Sequence, residues 1–286
     1  MAKVIAGIGC SHVPAIGAAI DNNKTHLPYW KPVFAGYPRA KEWIEEEVKP
    51  DVCIVVFNDH ASAFSLEFIP TFGIGVGGSF QPADQGYGRR KVPTVTGHPP
   101  LAWHIAESLI LNEFDMTIIN EMDVDHGMTV PMSVVWGKQP ADAETWPVPC
   151  IPIIVNVIQY PPPTGRRCFK LGQAIRKAIE SYPEDLKVCV IGTGGMSHQL
   201  GGERAGLTNP EFDIAFLDGL TQDPQGLADK PHIEYIREAG SEGIEMVMWH
   251  VMRGALSDDI AEVHRHYYVS ASNTGAGLIL FEEPKQ

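Results

Sequence analysis

The chain has 286 residues, of which 44% are hydrophobic and 20% are charged, and this ordinary globular composition excludes a disordered protein. Its net charge is −13, from 22 basic and 35 acidic residues, so a nucleic acid or an anionic membrane is not expected as a partner. An anionic small substrate would also be repelled at long range, and its carboxylate would need donors within the site.

Strands and helices are predicted to alternate along the chain. The predicted strands are Val4–Ile8, Val52–Phe57, Met116–Ile119, Ile151–Val157, Val188–Ile191 and Gly277–Phe281. The predicted helices are Arg39–Val48, Leu101–Leu111, Leu171–Ser181, Pro210–Leu220 and a helical run over Ile233–Met252. Long loops are predicted at Phe72–Pro100 and Lys138–Pro149. This alternation predicts an α/β fold, with residues 1–286 forming a single domain around a central mixed sheet flanked by helices.

The N-terminus leads directly into a strand and has no secretion-signal pattern, and no apolar run is long enough to cross a bilayer. The cysteines are odd in number and lack the close spacing of a zinc or redox motif. They are Cys10, Cys53, Cys150, Cys168 and Cys189. Reduced core thiols in a cytoplasmic protein are the expectation.

Two histidines follow predicted strands closely. His12 lies in Gly9–Pro14 after the first strand, and His60 ends the Asn58-Asp59-His60 run after Val52–Phe57. In open α/β sheets, ligands bind outside the carboxyl ends of the strands, where the active site is therefore expected. Burying such polar groups unpaired would cost several kcal/mol, roughly, so they need partners, and a metal is one. The simpler alternative is a hydrogen-bonded loop in each case.

Two further histidines occupy similar positions. His126 lies in Asp123–Gly127 after Met116–Ile119, and His198 ends the glycine-rich run Gly192–His198. These glycines could cradle a phosphate, but their spacing fits neither the Walker pattern nor the dinucleotide fingerprint. They are more consistent with close approach of the backbone to a ligand, with His198 directed at it.

A carboxylate is available at the start of the last predicted helical run. Glu242 and Glu245 both follow Ser241, a possible N-cap, and the helix dipole alone would favour either one. Periodicity does not choose between them. Two histidines and one carboxylate form the ligand set of non-haem Fe(II) oxygenases, although zinc hydrolysis could use the same three ligands.

The sequence resembles the class III extradiol dioxygenases, and within them the large (beta) subunit of protocatechuate 4,5-dioxygenase. The resemblance runs over nearly the whole chain. The segments that carry it are Gly9–Pro14, Val56–Phe64, Met122–Gly127, Gly192–Leu200, Gly240–Glu245, Val247–Trp249 and Ala271–Thr274.

The resemblance implies a role for each matching residue. Fe(II) would be bound by His12, His60 and Glu242; His198 would be the acid/base residue, His126 a second pocket histidine near the substrate hydroxyls, and Ser272 and Asn273 would hold the substrate carboxylate. A non-catalytic relative would be expected to lack a metal ligand or His198, and all are present here.

The implied reaction is extradiol cleavage of a carboxylated catechol with O2, in the degradation of lignin-derived aromatic compounds. The first expectation is 4,5-cleavage of protocatechuate to 4-carboxy-2-hydroxymuconate semialdehyde. Gallate or 3-O-methylgallate is the alternative substrate, and a zinc-dependent hydrolase is the alternative enzyme. The resemblance also implies a hetero-oligomer with a small helical alpha subunit that covers the active site.

Overall fold

The structure, a computed structural model, describes residues 1–284. The strands in this part of the chain are β1 Lys3–Cys10, β2 Val52–Phe57, β3 Phe72–Gly75, β4 Ser79–Phe80, β5 Val95–Thr96, β6 Thr117–Ile119, β7 Cys150–Val155, β8 Lys187–Thr193, β9 Ala261–Val269 and β10 Gly275–Glu282.

Helices connect most of these strands. They are α1 Pro14–Asp21, α2 Lys31–Phe34, α3 Tyr37–Glu42, α4 Pro99–Leu111, α5 His126–Val135, α6 Gly165–Ser181, α7 Pro210–Gln222, α8 Pro224–Ala228, α9 His232–Ala239 and α10 Trp249–Gly254. A π-helical segment, Trp43–Val48, continues α3, and a 3₁₀ segment, Glu242–Met248, precedes α10. No helix within residues 1–284 is long and apolar enough to cross a membrane.

Eight strands form one mixed sheet in the order β6-β3-β7-β2-β8-β1-β10-β9. The central strands β7, β2, β8 and β1 are parallel, whereas β10 pairs antiparallel with both β1 and β9. The carboxyl ends of the central strands therefore lie along one edge. The predicted α/β fold with a central mixed sheet is confirmed.

The sheet is buried on both faces because its central strands are apolar throughout. Ile54 and its neighbours at alternate positions of β2 pack with α4, α6 and α10. Val55 and the intervening positions pack with α1, α3 and α5 on the opposite face. Each side chain of this size stabilises the fold by about 1.5–3 kcal/mol when buried. The five cysteines are buried and free of disulfides, as predicted.

The prediction that Phe72–Pro100 is a long loop was wrong in part. Its first residues form β3, a strand of the main sheet between β6 and β7, and β4 and β5 form a separate two-stranded ribbon. These strands have two to four residues, too few to show an alternating pattern. They are fixed by pairing with strands distant in sequence.

The helical run predicted over Ile233–Met252 is broken at Gly240. This residue has a φ of +90°, and a Cβ there would lie 2.2 Å from the carbonyl oxygen of His198. A glycine is required for both reasons. The break separates α9 from the 3₁₀ segment and directs the start of that segment toward the carboxyl edge of the sheet.

Candidate metal centre and active site

His12 and His60 follow β1 and β2, two parallel strands separated only by β8. His12 is buried, and its Nδ1 lies 3.0 Å from the Oγ1 of Thr193 at the end of β8. The Nδ1 of His60 lies 2.9 Å from the Oδ2 of Asp125, which also accepts the His60 backbone N–H at 2.7 Å. With both Nδ1 atoms engaged, the Nε2 atoms are the ones directed at the cavity, where the His60 Nε2 also lies 3.0 Å from the Asn58 Nδ2.

Glu245 brings a carboxylate to these two rings. Its Oε2 lies 3.0 Å from the His12 Nε2, and its Oε1 lies 3.7 Å from the His60 Nε2. The backbone N–H of Gly195 donates to Oε2 at 2.6 Å and orients the carboxylate. Glu245 is only 8% exposed, so its charge needs a compensating partner.

Glu242 lies on the rim of the same cavity but does not approach the histidines in this way. Its Oε2 accepts hydrogen bonds from the Leu200 N–H at 3.0 Å and the Ser241 Oγ at 2.7 Å, and the residue is half-buried. The structure therefore brings Glu245, and not Glu242, to His12 and His60. The 3₁₀ conformation carries Glu245 inward while Glu242 faces the Leu200 loop.

The electrostatics of the cluster favour a cation. Burial by itself lowers the pKa of His60, but the carboxylates of Asp125 and Glu245 raise it to about 10. Burial raises the pKa of Asp125, yet His60 lowers it to about 2. Burial likewise raises the pKa of Glu245, and His12 and His60 bring it well below its ordinary value. The charged Glu245 carboxylate beside two imidazoles, one of them held by Asp125, is a donor set that a divalent metal fits.

His126 is packed against the same cluster. It is the first residue of α5, for which Asp125 is the N-cap, and its ring centroid lies 3.9 Å from that of His60. Its Nδ1 is 2.5 Å from the Gln85 Oε1. Burial and the positive charge of His60 lower the pKa of His126 to about 3. One nitrogen each from His12, His60 and His126 lie within 4.8 Å of one another.

His198 approaches the cavity from the turn after β8. Its Nδ1 lies 2.8 Å from the Met196 carbonyl oxygen, so Nδ1 carries the proton and Nε2 is left for a ligand. Gly194 has a φ of +138°, and a Cβ on Gly195 would lie 2.6 Å from the His198 Cε1. The glycines thus allow the close approach that the sequence indicated.

The four histidines and Glu245 line one cavity of about 530 Å³, which is large enough to hold a substituted aromatic ring. Much of the remaining wall is apolar, from Val13, Pro14, Val157, Ile158 and Leu200. Ser272 lines the cavity, as does Thr274, which the sequence did not single out. Asn273 is exposed with a φ of +53° and is not part of the wall.

Residues 6–281 match the family model described as the catalytic LigB subunit of aromatic ring-opening dioxygenase. The chain belongs to this family. Among curated relatives, a gallate dioxygenase of Pseudomonas putida is 48% identical over 71% of this chain and 58% of its own length. A 2,3-dihydroxyphenylpropionate/2,3-dihydroxicinnamic acid 1,2-dioxygenase of Mycobacterium ulcerans is 33% identical over 58% of this chain and 49% of its own.

The chain thus spans about half to three fifths of the length of these curated LigB relatives. A crystal structure of an uncharacterised Escherichia coli K12 protein matches 96% of this chain and 99% of its own at 14% identity, with a TM-score of 0.57. That similarity shows the shared fold alone.

The sequence did not indicate three residues that support this cluster. Asp125 was visible only as a neighbour of His126, yet it binds the His60 ring from 65 positions away. Thr193 contacts His12, and Gln85 contacts His126. Thr193 is the last residue of β8, and its polar character at a strand end was the available signal; Asp125 and Gln85 lie away from strand ends, and their pairing is set by tertiary structure.

Proposed function

We propose that residues 1–286 form one catalytic domain of an Fe(II)-dependent extradiol dioxygenase that opens a carboxylated catechol with O2. The proposal is carried by one observation: the Nε2 atoms of His12 and His60 and the carboxylate of Glu245 converge at one end of the cavity. In this proposal Glu245 takes the ligand role that the sequence resemblance gave to Glu242.

Two histidines and one carboxylate are the ligand set of non-haem Fe(II) oxygenases, and here they would hold the metal and leave room on it for other ligands. Bound iron would supply a place where the two catechol oxygens and O2 meet and exchange electrons. A zinc-dependent hydrolase could use the same ligands. The ring-opening description of the matching family favours the dioxygenase.

The other two histidines act on protons in this proposal. His198 has a free Nε2, because its Nδ1 is held by the Met196 carbonyl, and this Nε2 takes the proton of a catechol hydroxyl and later returns it. Burial favours the neutral form of His126, which is held by Gln85, so it can hydrogen-bond to the reacting oxygens without adding charge. The apolar walls hold the ring and limit the entry of water.

The cavity favours a substrate whose carboxylate is bound by neutral donors. Its lining, among the described residues, includes no lysine or arginine, whereas it does include the hydroxyl-bearing residues Ser272 and Thr274. The relative named gallate dioxygenase supports gallate as the first candidate substrate, ahead of protocatechuate and 3-O-methylgallate. Gallate differs from protocatechuate by one hydroxyl group.

We further propose that a small helical subunit covers the mouth of the cavity. Leu200 is 73% exposed and Ile158 is 40% exposed, and both line the cavity. Tyr160, two residues from Ile158, is 77% exposed. Apolar groups grouped around a site mark a surface that a protein partner would bury.

The test is anaerobic reconstitution with Fe(II), followed by O2 uptake and product absorbance with gallate, protocatechuate and 3-O-methylgallate. Cleavage of at least one substrate with one O2 consumed per ring is expected, and the His12→Ala variant is the inactive control. A zinc-loaded protein should not consume O2. Absence of O2 uptake with every substrate, with and without a co-expressed small subunit, would contradict the proposal.

A further inference from the structure

Directly before His198 lies a polar network that does not touch the cavity. Ser197 is completely buried, and both its N–H and its Oγ donate to Asp213, at 2.8 Å to Oδ1 and 2.6 Å to Oδ2. Tyr267 donates its hydroxyl to the same Oδ2 at 2.7 Å. Asp213 comes from α7 and Tyr267 from β9, so three separate parts of the chain meet here.

Asp213 is unusual for a buried carboxylate. It is 0% exposed and receives hydrogen bonds from Ser197 and Tyr267, which are neutral donors. Burial of a carboxylate is costly unless all of its lone pairs are used. A network of this cost, placed one residue from an acid/base histidine, calls for a functional reason.

The network also contacts the start of β10, which lies next to the cavity lining. The Gly275 N–H donates to the Ser197 carbonyl at 2.9 Å, and the Met196 N–H donates to the Gly275 carbonyl at 3.0 Å. A Cβ on Gly275 would lie 2.2 Å from the Asp213 Oδ2, so the two segments are in direct contact. Gly275 follows Thr274, which lines the cavity.

We infer that Asp213 is a positioning residue that holds the His198 ring against the reacting end of the cavity and fixes its tautomer. The inference rests on the proposed function for His198. Ser197, held at its N–H and its hydroxyl, restrains the peptide that leads into His198. The Met196 carbonyl then stays in place to accept the His198 Nδ1 proton at 2.8 Å, which keeps Nε2 free for proton exchange.

The first test is an Asp213→Asn variant with its metal content verified. The amide keeps the size of the side chain but replaces one acceptor oxygen by an NH2 donor, so the three hydrogen bonds from Ser197 and Tyr267 cannot all be kept. A misplacement of a catalytic group of about 1 Å costs about 10²-fold in rate, so kcat should fall by about 10–100-fold with KM and iron occupancy changed by less than about twofold. Glu211→Gln, an exposed carboxylate in the same first turn of α7, is the matched control and should not change kcat.

The second test separates positioning from a general structural effect. In a His198→Gln background, Asp213→Asn should lower kcat by less than about threefold, because residues that act as a unit are not additive. An equal reduction in both backgrounds overturns the inference. If Asp213→Asn does not fold, Tyr267→Phe removes one of the three hydrogen bonds and is compared in the same two backgrounds.

A third readout does not depend on activity. Long-range ¹H–¹⁵N spectra of the zinc-loaded protein with labelled histidine report the His198 tautomer, assigned by its loss in His198→Gln. The Nδ1–H form is expected in the unsubstituted protein and a mixture of tautomers in Asp213→Asn. An unchanged tautomer refutes the inference. If the unsubstituted protein cleaves no catechol, the proposed function fails, and these spectra alone decide the role of Asp213.

Discussion

Exchanging the two neighbouring glutamates for glutamine gives the sharpest test of the metal centre. Glu245→Gln removes the charge that lies 3.0 Å from the His12 Nε2 and 3.7 Å from the His60 Nε2. Glu242→Gln removes a charge of the same kind three residues earlier on the same 3₁₀ segment. The two variants are matched in chemistry and differ only in where the carboxylate lies.

The expected losses of metal affinity in the two variants differ by at least an order of magnitude. Loss of a residue that merely orients a metal ligand weakens metal affinity by about 10–100-fold. Loss of Glu245, a direct ligand in our proposal, should weaken it by more than about 100-fold, which is more than about 2.7 kcal/mol. Glu242 accepts hydrogen bonds from Leu200 and Ser241 near the surface, so its loss should cost less than about 1 kcal/mol of stability and leave affinity within about threefold.

The assay is an anaerobic titration of each variant with Fe(II), followed by measurement of bound iron after gel filtration. Circular dichroism and thermal unfolding of the metal-free proteins establish that both variants fold. Iron retained by Glu245→Gln and lost from Glu242→Gln would refute the assignment and return the ligand role to Glu242. Iron lost equally from both would show that charge at the cavity, and not direct ligation, controls affinity.

Three further results are expected from the structure. Asp125→Asn should weaken metal affinity by about 10–100-fold, because the acceptor for the His60 Nδ1 proton loses its charge, and an unchanged metal titration would contradict this. His198→Gln should keep its iron while turnover falls by roughly 10²–10⁴-fold; loss of iron would instead make His198 a ligand. Buried His250, 2.9 Å from the Tyr235 hydroxyl, has its pKa lowered by burial from 6.5 to about 3, so the unfolded chain alone binds its proton below pH 6.5. The free energy of unfolding should therefore fall by up to about 1.4 kcal/mol for each unit that the pH is lowered from 6 to 4. Urea unfolding of His250→Gln at several pH values should show a pH dependence that is smaller by that amount.

The sequence was sufficient to predict the central architecture. Strands such as Val52–Phe57 are continuous apolar runs, and only a position between two helical layers buries both of their faces. The placement of His12 and His60 followed from the same argument, because the carboxyl ends of parallel strands share one edge. Local pattern and a general rule of α/β folds were enough in these cases.

Elements with weak local patterns could not be predicted. β9 is polar along much of its length, with His264, Arg265 and His266, and it is a strand because it pairs with β10 at the edge of the sheet. Helix α5 contains an internal proline, Pro131, and is buried throughout by its neighbours. Their stability comes from contacts between residues distant in sequence.

The choice between Glu242 and Glu245 shows this limit most clearly. Both glutamates suit the first turn of a helix, so propensity and the helix dipole treat them alike. The break at Gly240 and the 3₁₀ winding after it turn Glu245 toward His12 and Glu242 toward Leu200. The ligand set is defined by distances between residues as far as 233 positions apart, and only tertiary packing determines those distances.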